Sequence, residues 1–288
     1  MQKKDFKSRD QLLDFLDDKA EWLRREIIRL SSIAGGSHLG GGLSMADIIV
    51  AVYYHAMNLK KGDPTWPDRD RFILSKGHGA IAYCPVLADQ GFFSPDWLNT
   101  FNNLDSPFGM HPDMKKIPGC DMSTGSLGHG LSVAVGMALT ARMDKKNWRV
   151  FVLMGDGEIN EGMVWEAAPS ASHFKLGNIV AIIDRNTLSL DGPTEEIMAI
   201  EPIAKRWEAF GWRVFDIDGH DMGALVDTLD KLPPPSDSTP TLIVARTVKG
   251  KGVDFMENNP IWHYAGLDKA KSADALTCIG NCRPKRRT

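Results

Sequence analysis

The sequence lacks the features that mark membrane, secreted and nucleic-acid-binding proteins. No stretch reaches the ~18 apolar residues that a membrane-spanning helix needs, and no apolar signal-peptide core follows the charged start at Lys3, Lys4 and Asp5. The net charge is −3, so no excess of positive charge favours binding to nucleic acid. We interpret the basic residues at 283–287 as a solvated chain end. We therefore expect a cytoplasmic protein.

Cysteine is also scarce. The four cysteines are Cys84, Cys120, Cys278 and Cys282, and only the last two lie close together. A structural zinc site normally needs four ligands in two clusters, so this spacing favours reduced thiols. The chain has 288 residues, 43% of them hydrophobic and 25% charged, which is typical of a soluble protein with one sizeable core.

The hydrophobic pattern alternates between helices and strands along most of the chain. Helices are predicted at residues 10–31, 45–57, 127–142, 163–176, 202–210 and 221–231, with a glycine loop at 40–42. Strands are predicted at residues 71–74, 149–154, 178–183, 213–217 and 241–245. Near-continuous apolar strands alternating with helices predict an α/β fold, a parallel sheet with helices on both faces. We expect one domain over residues 1–266 and a carboxy-terminal extension, which could be flexible, over 267–288.

Polar residues directly follow two of these predicted strands. Asp156 follows one and Asn186 follows the next, within the segment that begins Gly-Asp-Gly. Ligands of open parallel sheets bind beyond the carboxyl ends of the strands. Mg²⁺ prefers oxygen ligands, and the Leu188 carbonyl can supply a third, while Gly157 lets a phosphate approach its backbone N–H. An ordinary turn is the alternative interpretation, but the pairing of Asp156 with Asn186 favours a cation held against a diphosphate.

Four histidines strengthen this hypothesis. His38 lies in Gly-Gly-Ser-His-Leu-Gly-Gly-Gly, His78 in Lys-Gly-His-Gly-Ala, His111 in Gly-Met-His-Pro and His263 in Ile-Trp-His-Tyr. Taken singly, each is more often structural than catalytic. Loop histidines that converge, however, suit proton transfer and recognition of sugar hydroxyls, because imidazole titrates near neutrality.

Together these motifs resemble the thiamine-diphosphate enzymes, specifically the amino-terminal part of transketolase. The similarity spans roughly residues 20–266, and the motifs follow in the family's order. They lie at residues 37–48, 70–79, 109–112, 124–130, 155–186, 218–221, 247–250 and 262–264. The chain departs from the family at Leu39, where proline is common, and at Ser126 and His129, where proline and glutamine are common. These departures bear on substrate preference more than on cofactor binding.

The resemblance implies a role for each matching residue. Asp156, Asn186 and the Leu188 carbonyl would bind Mg²⁺, with Ca²⁺ or Mn²⁺ as alternatives. The residues around thiamine diphosphate would be His78, Gly125, Leu127, Gly157, Glu161, Glu166, Asn186 and His263, with Glu161 and Glu166 near a subunit interface. The catalytic residues would be His38 and His263, which flank the reacting carbon, and His111, which binds donor hydroxyls. Glu158 and Trp165 resemble the split form of the family.

The resemblance also implies an activity, the transfer of a two-carbon ketol unit from a ketose phosphate to an aldose acceptor. Such a transferase would serve carbohydrate metabolism in the pentose phosphate pathway. Deprotonating the cofactor needs a carboxylate at its aminopyrimidine, and in the family a second α/β domain supplies that glutamate. This sequence stops after one such domain. We therefore expect a subunit that is inactive alone and works with a partner chain, most simply as an α₂β₂ heterotetramer.

Two other classes remain open at this point. One is a component of another thiamine-diphosphate enzyme, either a 2-oxo acid dehydrogenase or a deoxyxylulose-type synthase, since both share the metal motif. The histidine loops argue against the dehydrogenase, because its chemistry needs fewer sugar contacts. The other is a non-catalytic binding subunit, against which the intact metal ligands and histidines argue.

Overall fold

A five-stranded sheet lies at the centre of the protein, in a computed structural model that describes residues 6–281. The strands are β1 (Arg71–Leu74), β2 (Val150–Gly155), β3 (Ile179–Arg185), β4 (Arg213–Asp218) and β5 (Thr241–Arg246). Their spatial order is β1-β2-β3-β5-β4, and every neighbouring pair is parallel. The predicted α/β class is confirmed, and each predicted strand is present within a residue or two of its expected bounds.

Helices connect the strands and cover the sheet. They are α1 (Arg9–Ala34), α2 (Leu39–Ser44), α3 (Ala46–Ala51), α4 (Ala80–Asp89), α5 (His129–Met143), α6 (Gly162–His173), α7 (Thr194–Ile197), α8 (Ile203–Ala209), α9 (Met222–Asp230) and α10 (Lys269–Asn281). A π-helical turn, Val52–Ala56, continues α3. The sequence patterns did not predict α4, α7 or α10.

The glycine-rich segment 40–42 is helical, so the predicted loop there is wrong. It forms half of α2, in which every residue is buried. Neighbouring side chains press so closely on the helix that larger residues would collide. A Cβ at Gly40 would lie 2.9 Å from the Lys249 side chain, and one at Gly42 would lie 3.0 Å from Ile81. The glycines therefore serve close packing rather than a turn.

Two hydrophobic layers cover the two faces of the sheet. Val180 and Ile182 of β3 pack with α1, α3, α4 and α9, whereas Ala181 and Ile183 pack with α5, α6 and α8. All residues of β2 and β3 are buried. Burial on both faces explains why these strands are apolar over most of their length instead of alternating with polar residues.

The segment after residue 267 contributes a helix to the first of these layers. In α10, Ala275 and Ile279 are buried, and Arg25 of α1 donates a hydrogen bond to the Leu276 carbonyl at 3.5 Å. Cys282 and the basic residues 283–287 lie outside the described residues. Among those described, Cys84 and Cys120 are buried thiols. None of the described helices is long and apolar enough to cross a membrane.

Candidate active site

Asp156 lies at the carboxyl end of β2 and is only 1% exposed. Its Oδ2 accepts hydrogen bonds from the Thr187 N–H at 2.6 Å and from Arg185 Nη1 at 3.0 Å. Burial, and then the charge of Asp184, raise the pKa of Asp156, and the bond from Arg185 opposes them. The ionised carboxylate is thus incompletely compensated by the protein, so a divalent cation would stabilise it.

Asn186 and Leu188 bring further oxygen atoms to the same edge of the sheet. The Asn186 Nδ2 lies 3.3 Å from Asp184 Oδ2, which orients the amide, and its Oδ1 accepts from the Leu188 N–H at 3.3 Å. The Leu188 carbonyl accepts from Lys249 Nζ at 2.9 Å. Within residues 6–281 no group of three or more His, Cys, Asp or Glu side chains is arranged to hold a metal. A cation here would therefore need these amide and carbonyl oxygens beside Asp156.

Asp184, which sequence reasoning missed, joins three of the segments that form the site. It is fully buried near the end of β3. Its Oδ2 accepts from Lys76 Nζ and from Ser44 Oγ, both at 2.6 Å, and its Oδ1 accepts from the Thr247 hydroxyl. Burial would raise the pKa of Asp184, but the Lys76 ammonium and these bonds lower it overall. A charged residue inside an apolar strand was the signal in the sequence.

In the sequence, Glu158 is distinguished only as a variant position of the metal-binding motif. Its side chain is buried and accepts hydrogen bonds from the Gly128 N–H at 2.9 Å, the Gly155 N–H at 3.0 Å and the Ser75 hydroxyl. These donors lie before α5, at the end of β2 and after β1. Glu158 therefore holds three chain segments together beneath the site.

The four predicted histidines lie in one cluster. The His38 ring centroid is 5.4 Å from that of His78, 5.9 Å from His111 and 5.5 Å from His263. Each comes from a different segment of the chain, and the His78 and His263 rings are themselves 5.5 Å apart. The structure therefore brings together side chains that are up to 225 residues apart, from position 38 to position 263.

Burial keeps these imidazoles neutral. Burial, then His111 and Lys249, lower the pKa of His38 to about 4. Burial followed by Lys249 lowers the pKa of His263 to about 3. The pKa values of His78 and His111 are also lowered, chiefly by burial. At neutral pH each uncharged ring has one nitrogen that donates and one that accepts a hydrogen bond.

Lys249 connects the histidine cluster with the strand ends. Its side chain is 2% exposed, and burial, then Lys76, lower its pKa to about 8. Its Nζ lies 2.8 Å from His263 Nδ1. The ammonium group donates, so His263 Nδ1 accepts and the proton of the neutral ring lies on Nε2. Two buried lysines beside neutral imidazoles make a site that attracts anions.

The cluster also contains buried polar atoms that fit an added ligand. Among the described residues, Ser37 Oγ, His38 Nδ1 and Thr124 Oγ1 are buried without a hydrogen-bond partner in the protein. Buried polar groups are normally paired, so a polar ligand would satisfy them. Together with the two lysines and the oxygen atoms at the strand ends, these atoms fit a diphosphate ester and its cation.

The glycine-rich loop before α5 borders the cluster. Gly125 lies against the His111 ring, where a Cβ would be 3.6 Å from Cγ. The Leu127 carbonyl accepts a hydrogen bond from Nδ1 of His129 at 3.0 Å. This bond gives a structural role to the histidine that replaces the family's usual glutamine.

Three other predicted site residues are not part of the histidine cluster. The Gly157 N–H donates to Asp156 Oδ1 at 2.8 Å, and a Cβ at Gly157 would meet only Ser189, at 3.6 Å. Glu161 and Glu166 are exposed at the beginning of α6, and the structure does not bring them among the histidines. Their position is an open surface next to the site.

Comparisons with known proteins give the family. Residues 22–284 match the family model described as transketolase, thiamine diphosphate binding domain. The chain is 42% identical to one subunit of the apulose-4-phosphate transketolase of Actinobacillus succinogenes, covering 87% of this chain and 91% of that protein. It is 39% identical to the 6-deoxy-6-sulfo-D-fructose transketolase subunit SqwG of a Clostridium species, covering 90% and 93%.

A solved structure shows the same fold in a longer protein. The transketolase of Leishmania mexicana superposes with a TM-score of 0.85 at 27% identity, over 94% of this chain but 42% of that one. This chain thus spans less than half of a single-chain transketolase and nearly the whole of the two separate subunits that it resembles. It belongs to the transketolase family, as a thiamine diphosphate-binding domain that corresponds to the amino-terminal subunit of a split transketolase.

Proposed function

We propose that this chain holds the diphosphate end of thiamine diphosphate and, with a partner subunit, transfers a two-carbon ketol unit from a ketose phosphate to an aldose. The observation that carries the proposal is the convergence of four neutral imidazoles and Lys249 beside the Asp156–Asn186 pair. Relatives that are named as subunits of apulose-4-phosphate transketolases support ketol transfer over 2-oxo acid oxidation.

Mg²⁺ would be held by Asp156, Asn186 and the Leu188 carbonyl. These are hard oxygen donors, as this cation requires, and the raised pKa of Asp156 indicates a carboxylate that a positive charge would stabilise. The diphosphate would lie between this cation and the imidazoles of His78 and His263. Thiamine diphosphate, when bound, supplies the carbon nucleophile for the transfer.

The remaining histidines would handle protons and sugar hydroxyls. His263 presents Nε2–H because Lys249 occupies its Nδ1, so it can donate to an oxyanion as negative charge develops. His38 has an unpaired Nδ1 and a pKa of about 4, so its neutral ring can accept a hydrogen bond from a hydroxyl group. His111, exposed at the edge of the cluster, would bind a donor hydroxyl.

A partner subunit would complete the active site. This chain spans 41% of human transketolase, to which it is 40% identical, and the partner would supply the aminopyrimidine glutamate and the remaining domains. Exposed Glu161, which directly precedes α6, and Glu166 on α6 suit a position near that partner. We propose an α₂β₂ assembly.

The test is reconstitution of the activity. The purified chain, thiamine diphosphate and Mg²⁺ are incubated with a ketose phosphate donor and an aldose acceptor, with and without the product of the neighbouring reading frame. We expect ketol transfer only in the complete mixture. Robust turnover by this chain alone would disprove the split assignment. Turnover of pyruvate but of no ketose phosphate would disprove ketol transfer.

A further inference from the structure

A histidine outside the proposed cofactor site links the helical layer to the turn that carries Lys249. His220 lies between β4 and α9, in the segment Asp-Gly-His-Asp, and its side chain is 14% exposed. Its Nδ1 is 2.7 Å from Asp47 Oδ2, and its Nε2 is 2.8 Å from the backbone nitrogen of Val248. Both ring nitrogens are therefore engaged by groups of the chain itself.

These two contacts determine the tautomer of His220. The Val248 N–H can only donate, so Nε2 accepts and carries no proton. Burial would raise the pKa of Asp47, but Arg24 and the bond from His220 lower it to about 2. The ionised carboxylate accepts, so the proton lies on Nδ1. With one nitrogen donating and the other accepting, the ring has none left for general acid–base catalysis.

The Asp47 end of this chain of bonds is anchored in the core. Asp47 lies in the first turn of α3, and its side chain is 9% exposed. Arg24 of α1 donates to it through both terminal nitrogens, with Nη1 at 3.0 Å from Oδ1. A carboxylate paired in this way between two packed helices offers His220 an acceptor in a fixed position.

The Val248 end leads directly to the proposed diphosphate site. The next residue is Lys249, whose Nζ reaches the Leu188 carbonyl at 2.9 Å and His263 Nδ1 at 2.8 Å. The Gly250 N–H donates to the Gly40 carbonyl at 3.0 Å. The turn after β5 is thus held at two nearby points, by α2 through Gly250 and by His220 through Val248.

We propose that His220 is a positioning residue, which holds the turn after β5 so that the Lys249 ammonium group reaches both Leu188 and His263. This inference rests on the proposed function, because that function places Lys249 at the diphosphate end of the cofactor. Burial already disfavours the charge of Lys249. A turn released from His220 would therefore let the ammonium group move towards water, and the diphosphate would lose a cation.

The test compares two substitutions that separate the two bonds. In His220→Asn, the amide nitrogen can still donate to Asp47, but the shorter side chain does not reach the Val248 N–H. In His220→Gln, the amide oxygen reaches the position of Nε2 and can accept from Val248. Each full-length variant, together with the partner subunit, is titrated with thiamine diphosphate, and separately with inorganic diphosphate, at saturating Mg²⁺ by calorimetry. Melting of the ligand-free protein is measured alongside.

We expect His220→Asn to weaken both ligands by about 10–100-fold, the usual effect of removing a partner that orients a ligating group. His220→Gln should recover most of the affinity. His173→Asn, a substitution at an exposed histidine of α6, is the control and should bind as wild type does. Wild-type affinity in His220→Asn would overturn the proposal, as would equal losses in the Asn and Gln variants.

A second measurement does not depend on whether the variants fold. The ¹⁵N chemical shifts of His220 in the wild-type chain should show the proton on Nδ1 and none on Nε2, as its contacts with Asp47 and Val248 require. A ring protonated at Nε2, or at both nitrogens, would overturn the inference. Failure of the wild-type chain to bind thiamine diphosphate even with the partner subunit present would instead disprove the proposed function, so the two failures are distinguishable.

Discussion

At the residue scale, the chemistry of the site comes from side chains whose charge is disfavoured by burial. Asp156, Lys249 and His263 each have a pKa shifted away from the charged form, and burial is the largest cause in all three. Strongly perturbed groups that gather in one place are typical of functional sites. The charged forms of these groups become favourable only when a ligand supplies the opposite charge, here a cation for Asp156 and an anion for the basic groups.

The first prediction concerns Asp156. Asp156→Asn keeps the shape of the side chain but removes the charge that would hold Mg²⁺. We expect affinity for thiamine diphosphate to lose its dependence on Mg²⁺ and to fall more than the roughly 10–100-fold caused by losing an indirect partner. Calorimetric titration with and without Mg²⁺ measures the effect.

The control for this experiment is Asp191→Asn, a substitution at an exposed aspartate in the loop after β3. It should bind as wild type does. Because Arg185 also pairs with Asp156, melting of the ligand-free variants must be compared as well. An Asp156→Asn variant that keeps its Mg²⁺-dependent affinity would show that this carboxylate does not hold the metal.

At the element scale, buried side chains that form hydrogen bonds fix the positions of the loops that join the strands. The sequence pattern correctly predicted the five strands, because runs of buried apolar residues are a local signal. It wrongly predicted a loop at 40–42, because a run of glycines is compatible both with a loop and with a tightly packed helix. Only the neighbours, Lys249 and Ile81 among them, distinguish the two cases.

The second prediction concerns Glu158, which joins β2 to the beginning of α5. Glu158→Ala would leave the Gly128 and Gly155 N–H groups buried without acceptors. An unsatisfied buried donor costs about 1–3 kcal/mol, so we expect the free energy of unfolding to fall by about 2–4 kcal/mol. Urea denaturation followed by circular dichroism measures this change.

Glu158→Gln provides the matched comparison, since its amide keeps one acceptor oxygen. It should lose less stability than Glu158→Ala. Glu208→Ala, at an exposed position of α8, should change stability by less than about 0.5 kcal/mol. Equal stabilities of the Ala variants at 158 and 208 would show that Glu158 does not hold these chain segments together.

At the scale of the whole molecule, the histidine cluster makes stability depend on pH. His38 and His263 have folded-state pKa values of about 4 and about 3, below the ordinary 6.5. Between the folded and unfolded values the unfolded chain binds more protons than the folded chain does, so stability rises with pH there. The stability of the ligand-free protein should therefore be lost progressively as pH falls from 6.5 towards 4.

The third prediction isolates this contribution. Other carboxylates titrate over the same range, so the useful quantity is the difference between wild type and His38→Asn. We expect the variant to gain stability relative to wild type as pH falls from 7 to 4.5, measured by melting temperature at constant ionic strength. His173→Asn should show no such gain. A difference for His38→Asn that stays constant with pH would contradict a neutral, buried His38.

Local sequence patterns suffice to place the strands and the residues that follow them, because hydrophobic periodicity depends on near neighbours. They therefore identify Asp156 and Asn186 as candidates, and the loop motifs add the four histidines. They do not identify the partners of buried charges. Lys76 and Asp184 are 108 residues apart in sequence and 2.6 Å apart in space. Their pairing, and that of His220 with Asp47 and Val248, is decided by the strand order β1-β2-β3-β5-β4 and by the packing of helices on the sheet, since hydrogen bonds require contact that only the packed fold provides.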